Sequence, residues 1–219
     1  MAMPTQKYRL KDGSVVPGTT TIIGNNLGWS QEPLMRWAWQ QGMDGLDYRD
    51  SSRKAADAGT LAHAMAEADI KGHEFKAPVE TEPGILEKAR AAYDAYLSWK
   101  GMTKMVLVES EIPYVSEVHK YGGTIDAIAS INEKTALVDF KTSNGLYANH
   151  IIQVAAYTNL WEENHATRLE GGVHILRFSK EGGHFHHHYY PRESISNPWS
   201  AFLHLRALQY LRKSLEGMT

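Results

Sequence analysis

The chain's 219 residues suffice for a domain with a sizeable core, and 42% hydrophobic against 22% charged residues is the balance of a folded globular protein. The absence of cysteine excludes disulfides, thiolate zinc sites, cysteine-ligated iron–sulfur clusters and cysteine nucleophiles together. A net charge of −2, from 23 basic and 25 acidic residues, is not the basic excess of many nucleic-acid binders and alone argues mildly against DNA, although a local basic groove or a bound cation can serve a neutral protein.

No apolar run has the length of a membrane span, and the opening MAMPTQKYRLKDG lacks the apolar stretch of a secretory signal, so a cytosolic protein is the expected default. Residues 7–24 predict a turn at Asp12-Gly13 followed by a short β-prone stretch. Residues 31–41 predict a helix opening after Ser30, and residues 50–71 another, interrupted at Gly59. Over residues 82–100, Leu86, Ala89, Tyr93, Tyr96 and Leu97 recur at helical spacing. Period-two patterns then predict strands over 105–115, 122–130 and 135–141. Helix returns over 147–164, a hairpin over 171–190 turns around Glu181-Gly182-Gly183, and a last helix runs over about 198–215 with Asn197 as its cap. The expectation is one α/β domain over 1–219, with a helical region to about residue 100 and then a central mixed sheet flanked by helices.

The chemistry concentrates in GGTIDAIASINEKTALVDFKTS, residues 122–143. Ile125, Ala127, Ala129, Ala136, Val138 and Phe140 share one alternation, an apolar face for the core. Thr124, Asp126, Ile128, Leu137, Asp139 and Lys141 share the other. A turn centred on Asn132-Glu133 sets Asp126 opposite Asp139, with Cβ atoms about 4.5–5.5 Å apart. Facing carboxylates repel, and a hard divalent cation, Mg²⁺ or Mn²⁺, is their natural compensation. Such a cation acidifies water, and Lys141 beside it can hold or deprotonate that water and balance charge on a phosphate. The other reading, equally open on the hairpin alone, is a surface hairpin in which Lys141 pairs with Asp139.

Two helical segments add candidates. His63 and Glu67 lie one turn apart in GTLAHAMAE, as a ligand and its partner or as a plain surface pair. Gln153 and Tyr157 have the same spacing in HIIQVAAY, an otherwise apolar helix; satisfaction of nearby backbone groups is their plainer reading.

GTLAH with Glu67, GGTID, VDFKTS and QVAAY, in that order, resemble the RecB-like branch of the PD-(D/E)XK nuclease superfamily. PGTTTII and LMRWAWQQG resemble the N-terminal region of phage and mitochondrial exonucleases of that branch, so the likeness spans about residues 17–161. The resemblance implies a restriction-endonuclease-like core and His63, Asp126, Asp139 and the Phe140 carbonyl as Mg²⁺ or Mn²⁺ ligands. It implies Lys141 as the catalytic lysine, and Gln153 and Tyr157 as support for the site and contacts to DNA. Glu67 and Glu111 would be helpers around the ligands. Without cysteines, the chain resembles the type that lacks an iron–sulfur cluster. The implied activity is a DNA exonuclease in recombination, repair or phage DNA processing, acting on single strands or duplex ends, with a recombination or single-strand-annealing protein as a candidate partner and no membrane. A bacterial or phage-infected cytoplasm is the implied setting, with mitochondria left open. An endonuclease of the same fold, a DNA-binding or assembly protein on a nuclease fold, and a hydrolase of another phosphate ester are the rival readings.

His184, His186 and His188 share one strand face; a solvent-facing hairpin is favoured over zinc. Among Trp29, Trp37 and Trp39, Trp37 is a candidate for stacking on DNA bases, and at least one of the three is expected in the core. Arg36, Arg53 and Lys54 are candidates for phosphate contacts against a default of solvated surface. Thr142, next to Lys141, is a further DNA-contact candidate.

Overall fold

The computed structural model describes residues 6–29, 31–47, 58–180 and 184–218. Strands β1 (Tyr8–Arg9) and β2 (Val15–Val16) form a small hairpin. Its turn is the expected one: the Asp12 carboxylate accepts the Ser14 N–H at 2.8 Å, and Gly13 takes the left-handed conformation. The next residues correct the β expectation, because Thr19–Asn26 is helix α1. Its Thr, Ile and Ile are β-prone, but Thr19, Ile22 and Ile23 lie on one helical side and are buried there. Thr19 Oγ1 donates to the Gly122 carbonyl at 2.9 Å, so tertiary burial overrides local preference.

Helix α2 (Gln31–Met43) forms where expected, but it leaves Leu34, Met35, Trp37, Trp39 and Met43 exposed. Trp29 is exposed too, so none of the three tryptophans enters the core, contrary to expectation; among its described side chains α2 has none that is fully buried. Among the described residues helix α3 spans Ala58–Ile70, with Gly59 in its first turn. This glycine is a point of close contact: a Cβ there would lie 2.6 Å from the Ser179 carbonyl oxygen. Residues 50–57 of the expected helix, with Arg53 and Lys54, the cap Ser30 and the turn 181–183 lie outside the described residues. Helix α4 (Pro83–Met102) buries Ala89, Ala92, Tyr96 and Trp99, leaving Leu86, Tyr93 and Leu97 half-buried.

The expected mixed sheet is present. Strands β3 (Val106–Ser116), β4 (Tyr121–Ile131) and β5 (Lys134–Thr142) are antiparallel neighbours. Helix α5 (Ala148–His165) then crosses to β6 (Val173–Phe178), parallel to β5, and β7 (Phe185–Tyr190) closes the order β3-β4-β5-β6-β7. A parallel pair requires such a crossover. A 3₁₀ turn (Arg192–Ile195) leads directly into helix α6 (Ser196–Glu216), so Asn197 sits inside the helix and is not its cap.

Helices cover both faces of the sheet. Ile128, Leu137 and Ile175 pack with Val154, Tyr157 and Leu160 of α5, Phe202 of α6 and Ile22 of α1. Ala127, Ala129, Val138, Phe140 and Phe178 pack with Leu61 and Met65 of α3 and Tyr96 and Trp99 of α4. The β4–β5 hairpin is therefore no surface hairpin. Ile125 departs from its expected face and joins the α5 side.

Gly59→Ala should destabilise the protein by about 1–3 kcal/mol through overpacking, although alanine favours an exposed helix by about 1 kcal/mol. Denaturant unfolding checks this. Unchanged or raised stability would show that α3 does not depend on close approach to the end of β6.

Candidate active site

The turn between β4 and β5 places Asn132 and Glu133 both at positive φ, as a tight hairpin turn demands. The register follows as expected from Ile131–Lys134 to Ala127–Val138, and there the ladder stops. Asp126 and Asp139 come next in register, but the strands part before they pair. The Asp126 carboxylate reaches across the gap and accepts the Phe140 N–H at 2.9 Å.

Asp139 is completely buried, at 0% exposure. One carboxylate oxygen, Oδ2, lies 2.5 Å from Lys141 Nζ as an ion pair, and neither Oδ2 nor Oδ1 has a hydrogen bond of ordinary geometry among the described residues. Burial raises its pKa above the ordinary carboxylate range; the Lys141 ammonium opposes this and the Asp126 charge adds to it. An orphan carboxylate oxygen in the interior is costly unless something supplies positive charge.

A small cleft of about 90 Å³ opens beside the gap, lined by His63, Glu67, Lys71, Glu111, Asp126 and Phe140. The His63 ring stacks on Phe140 at 5.4 Å between centroids. Burial lowers its pKa, against the nearby Asp126 and Glu67 charges, so the imidazole tends to the neutral form that a metal takes. Lys71 Nζ joins Glu67 at 2.6 Å and Glu111 at 2.8 Å across the cleft wall. Glu111 stands at φ +52 within β3, in the left-handed region that few non-glycine residues adopt.

From α5, Gln153 Nε2 donates to the Tyr157 hydroxyl at 2.8 Å. Burial raises the pKa of Tyr157 above the ordinary phenol value; the Gln153 hydrogen bond works against this, while the Asp139 and Asp126 charges reinforce it. The phenol therefore keeps its proton close to both carboxylates.

The structure thus gathers His63, Glu67, Glu111, Asp126, Asp139, Phe140, Lys141, Gln153 and Tyr157 around one split in the sheet. Thr142 closes β5 next to Lys141, half-buried. Arg36 and Trp37 lie on α2 and do not line this cleft; Arg36 forms an exposed pair with Glu32 at 3.0 Å. His184 and His186 are exposed, and His188 is half-buried with its ring stacked on His186. Sequence reasoning missed Lys71, whose signal was its place four residues after Glu67. It also missed Arg177, a lone cation in the apolar strand VHILRF, and the role of Tyr8, whose hydroxyl meets Thr124 Oγ1 at 3.1 Å.

The donors suit a hard cation: two carboxylates, a peptide carbonyl and an orphan oxygen on Asp139. Among the described residues, however, no three His, Asp or Glu side chains converge as a ready ligand set. Asp126 is turned to the Phe140 N–H and Asp139 to Lys141, while His63 shares the cleft with Asp126.

No protein family's sequence profile matches the chain. No curated protein matches it. Among solved structures it is similar to a protein of Eubacterium rectale provisionally named an exonuclease, at 12% identity over 73% of this chain and 67% of that one, with a TM-score of 0.49. It is also similar to LHK-Exo in complex with dAMP, at 13% identity over 74% of this chain and 94% of that one, with a TM-score of 0.34. For the alkaline exonuclease LHK-Exo of Laribacter hongkongensis the values are 16%, 75%, 94% and 0.30. At such similarities, function rests on the geometry of the site itself. Among the described residues no helix is long and apolar enough to cross a membrane.

The raised proton affinity of Asp139 has a pH signature in metal-free protein. The unfolded chain gives up this proton first, so stability should fall as pH climbs from the ordinary carboxylate range toward neutrality. Asp139→Asn should flatten that fall. Denaturant unfolding of both proteins across the range checks it, and equal slopes would contradict it.

Proposed function

We propose that the chain is a divalent-metal-dependent deoxyribonuclease of the RecB-like branch of the PD-(D/E)XK superfamily, acting as an exonuclease on single strands or duplex ends. The supporting observation is the buried Asp139, with one oxygen on Lys141 and the other orphaned, where β4 and β5 part. A structural ion pair has no need of a second carboxylate, an imidazole and a cleft beside it.

Asp126, Asp139 and the Phe140 carbonyl would hold Mg²⁺ or Mn²⁺, with His63 within the same cleft as a further ligand. When bound, the cation supplies Lewis acidity at the scissile phosphate and acidifies the attacking water. Lys141 donates to that water, aims it in line and balances charge on the phosphate oxygens as the bond to the leaving oxygen breaks. Gln153 fixes the Tyr157 hydroxyl, leaving the phenol proton to serve a neighbouring oxygen. Lys71 holds Glu67 and Glu111 at the cleft wall. Recombination, repair or phage DNA processing is the setting that suits such an enzyme, in a single domain and with a strand-annealing protein as a candidate partner.

End-labelled single- and double-stranded DNA with Mn²⁺ tests this reading. Asp139→Ala and Lys141→Ala should each lower cleavage by at least about 10²-fold, and EDTA should abolish it, with far-UV circular dichroism unchanged. Full activity in either variant overturns the assignment. Binding without cleavage by the wild type would favour the non-catalytic reading, and internal cuts in circular DNA would replace exonuclease with endonuclease.

Metal binding is tested apart from activity. Mn²⁺ should raise the wild-type melting temperature, by mass action on the folded state, and should do so less in Asp126→Ala. Identical shifts in the two proteins would exclude Asp126 as a ligand.

A further inference from the structure

A second charged cluster lies on the sheet face that carries Asp139 and Lys141. Lys141 on β5, Arg177 on β6 and His186 on β7 are direct register neighbours, so their side chains form one row on one face. His188 follows two residues along β7. His150 of α5 stands over the row: burial first, then the charges of Lys141 and Arg177, push its imidazole down to about 4.

Arg177 is the unusual member. It is only 8% exposed, and its Nη1 donates to the Ser143 carbonyl at 2.7 Å. Its Nε has no hydrogen-bond partner among the described residues. None of the ion pairs among those residues includes it. The neighbouring carboxylate, Asp139, is taken up by Lys141. His188 Nε2 is likewise buried and unpartnered among the described residues. Buried charges are normally paired, so a guanidinium held among bases is a place for an anion. Planar guanidinium geometry suits a phosphate.

We propose that Arg177, with His150, His186 and His188 around it, is a phosphate subsite one strand spacing from Lys141, and that it takes the phosphodiester adjoining the scissile one. The strand as the source of that phosphate rests on the nuclease reading above; the oxyanion chemistry does not. Arg177 also fixes the Ser143 carbonyl just beyond Lys141, so an anion there is tied to the segment that carries the catalytic lysine.

Two arms test the subsite and separate a strand phosphate from a free one. In the first, inorganic phosphate is titrated into the whole protein and followed through histidine ring resonances. Wild type should show saturable shifts of His150 and His186 that Arg177→Gln loses. In the second, single-stranded oligonucleotides carry one neutral methylphosphonate linkage at a time, and affinity is read in EDTA so that cleavage does not intervene. At one linkage the neutral group should weaken wild-type binding about tenfold and Arg177→Gln no further. Arg177→Gln should also lower the slope of log affinity against log salt by about 0.7. Phosphate shifts without a linkage-specific loss overturn the strand assignment. The absence of saturable shifts in wild type, which needs no variant to fold, overturns the subsite. Phosphate bound at Arg177 by a protein that never cuts DNA would refute the nuclease reading alone.

Discussion

The site is organised by one arrangement, a carboxylate buried at the point where two strands separate. Asp139 has no access to solvent, so its charge must be met inside the protein. Lys141 Nζ lies 2.5 Å from one of its oxygens, and the other has no hydrogen-bond donor among the described residues. The split between β4 and β5 follows from the same residues, because Asp126 spends its carboxylate on the Phe140 N–H in place of a ladder bond. Fixed polar groups act more strongly on charge in a region closed to solvent than at an open surface.

The remaining elements hold that arrangement from both faces. Helix α3, brought close to the sheet at Gly59, lays His63 on Phe140. Helix α5 sets Gln153 and Tyr157 against the opposite face. Lys141, Arg177 and His186 stand in one row across β5, β6 and β7, next to the carboxylates, with His188 two residues along β7.

Much of the site was legible before the fold. The β4–β5 register followed from a two-residue turn and strict alternation, because a one-residue slip would have moved every side chain to the other face. The helix pairs at i, i+4 followed from helical geometry alone. What could not be read depends on contacts distant in sequence. The β-branched run at Thr19–Ile23 becomes helix only because its buried side meets β4 and α6. Gly59 reads as a breaker until Ser179 is seen above it. The swing of Asp126 to a backbone N–H, and the unbalanced charge of Arg177, both require neighbouring strands to be in place. The exposure of Trp29, Trp37 and Trp39 has no sequence signature, since aromatic residues on a helix ordinarily signal a core.

The central claim is that Asp126 and Asp139 together hold a divalent cation. A crystal of the wild-type protein soaked in Mn²⁺, with anomalous scattering measured near the manganese edge, tests it most directly. The account predicts a peak about 2.1 Å from an oxygen of each carboxylate and close to the Phe140 carbonyl, with Lys141 Nζ alongside. A fully loaded crystal whose manganese lies elsewhere, with Asp126 still on the Phe140 N–H and Asp139 still on Lys141 alone, would contradict it.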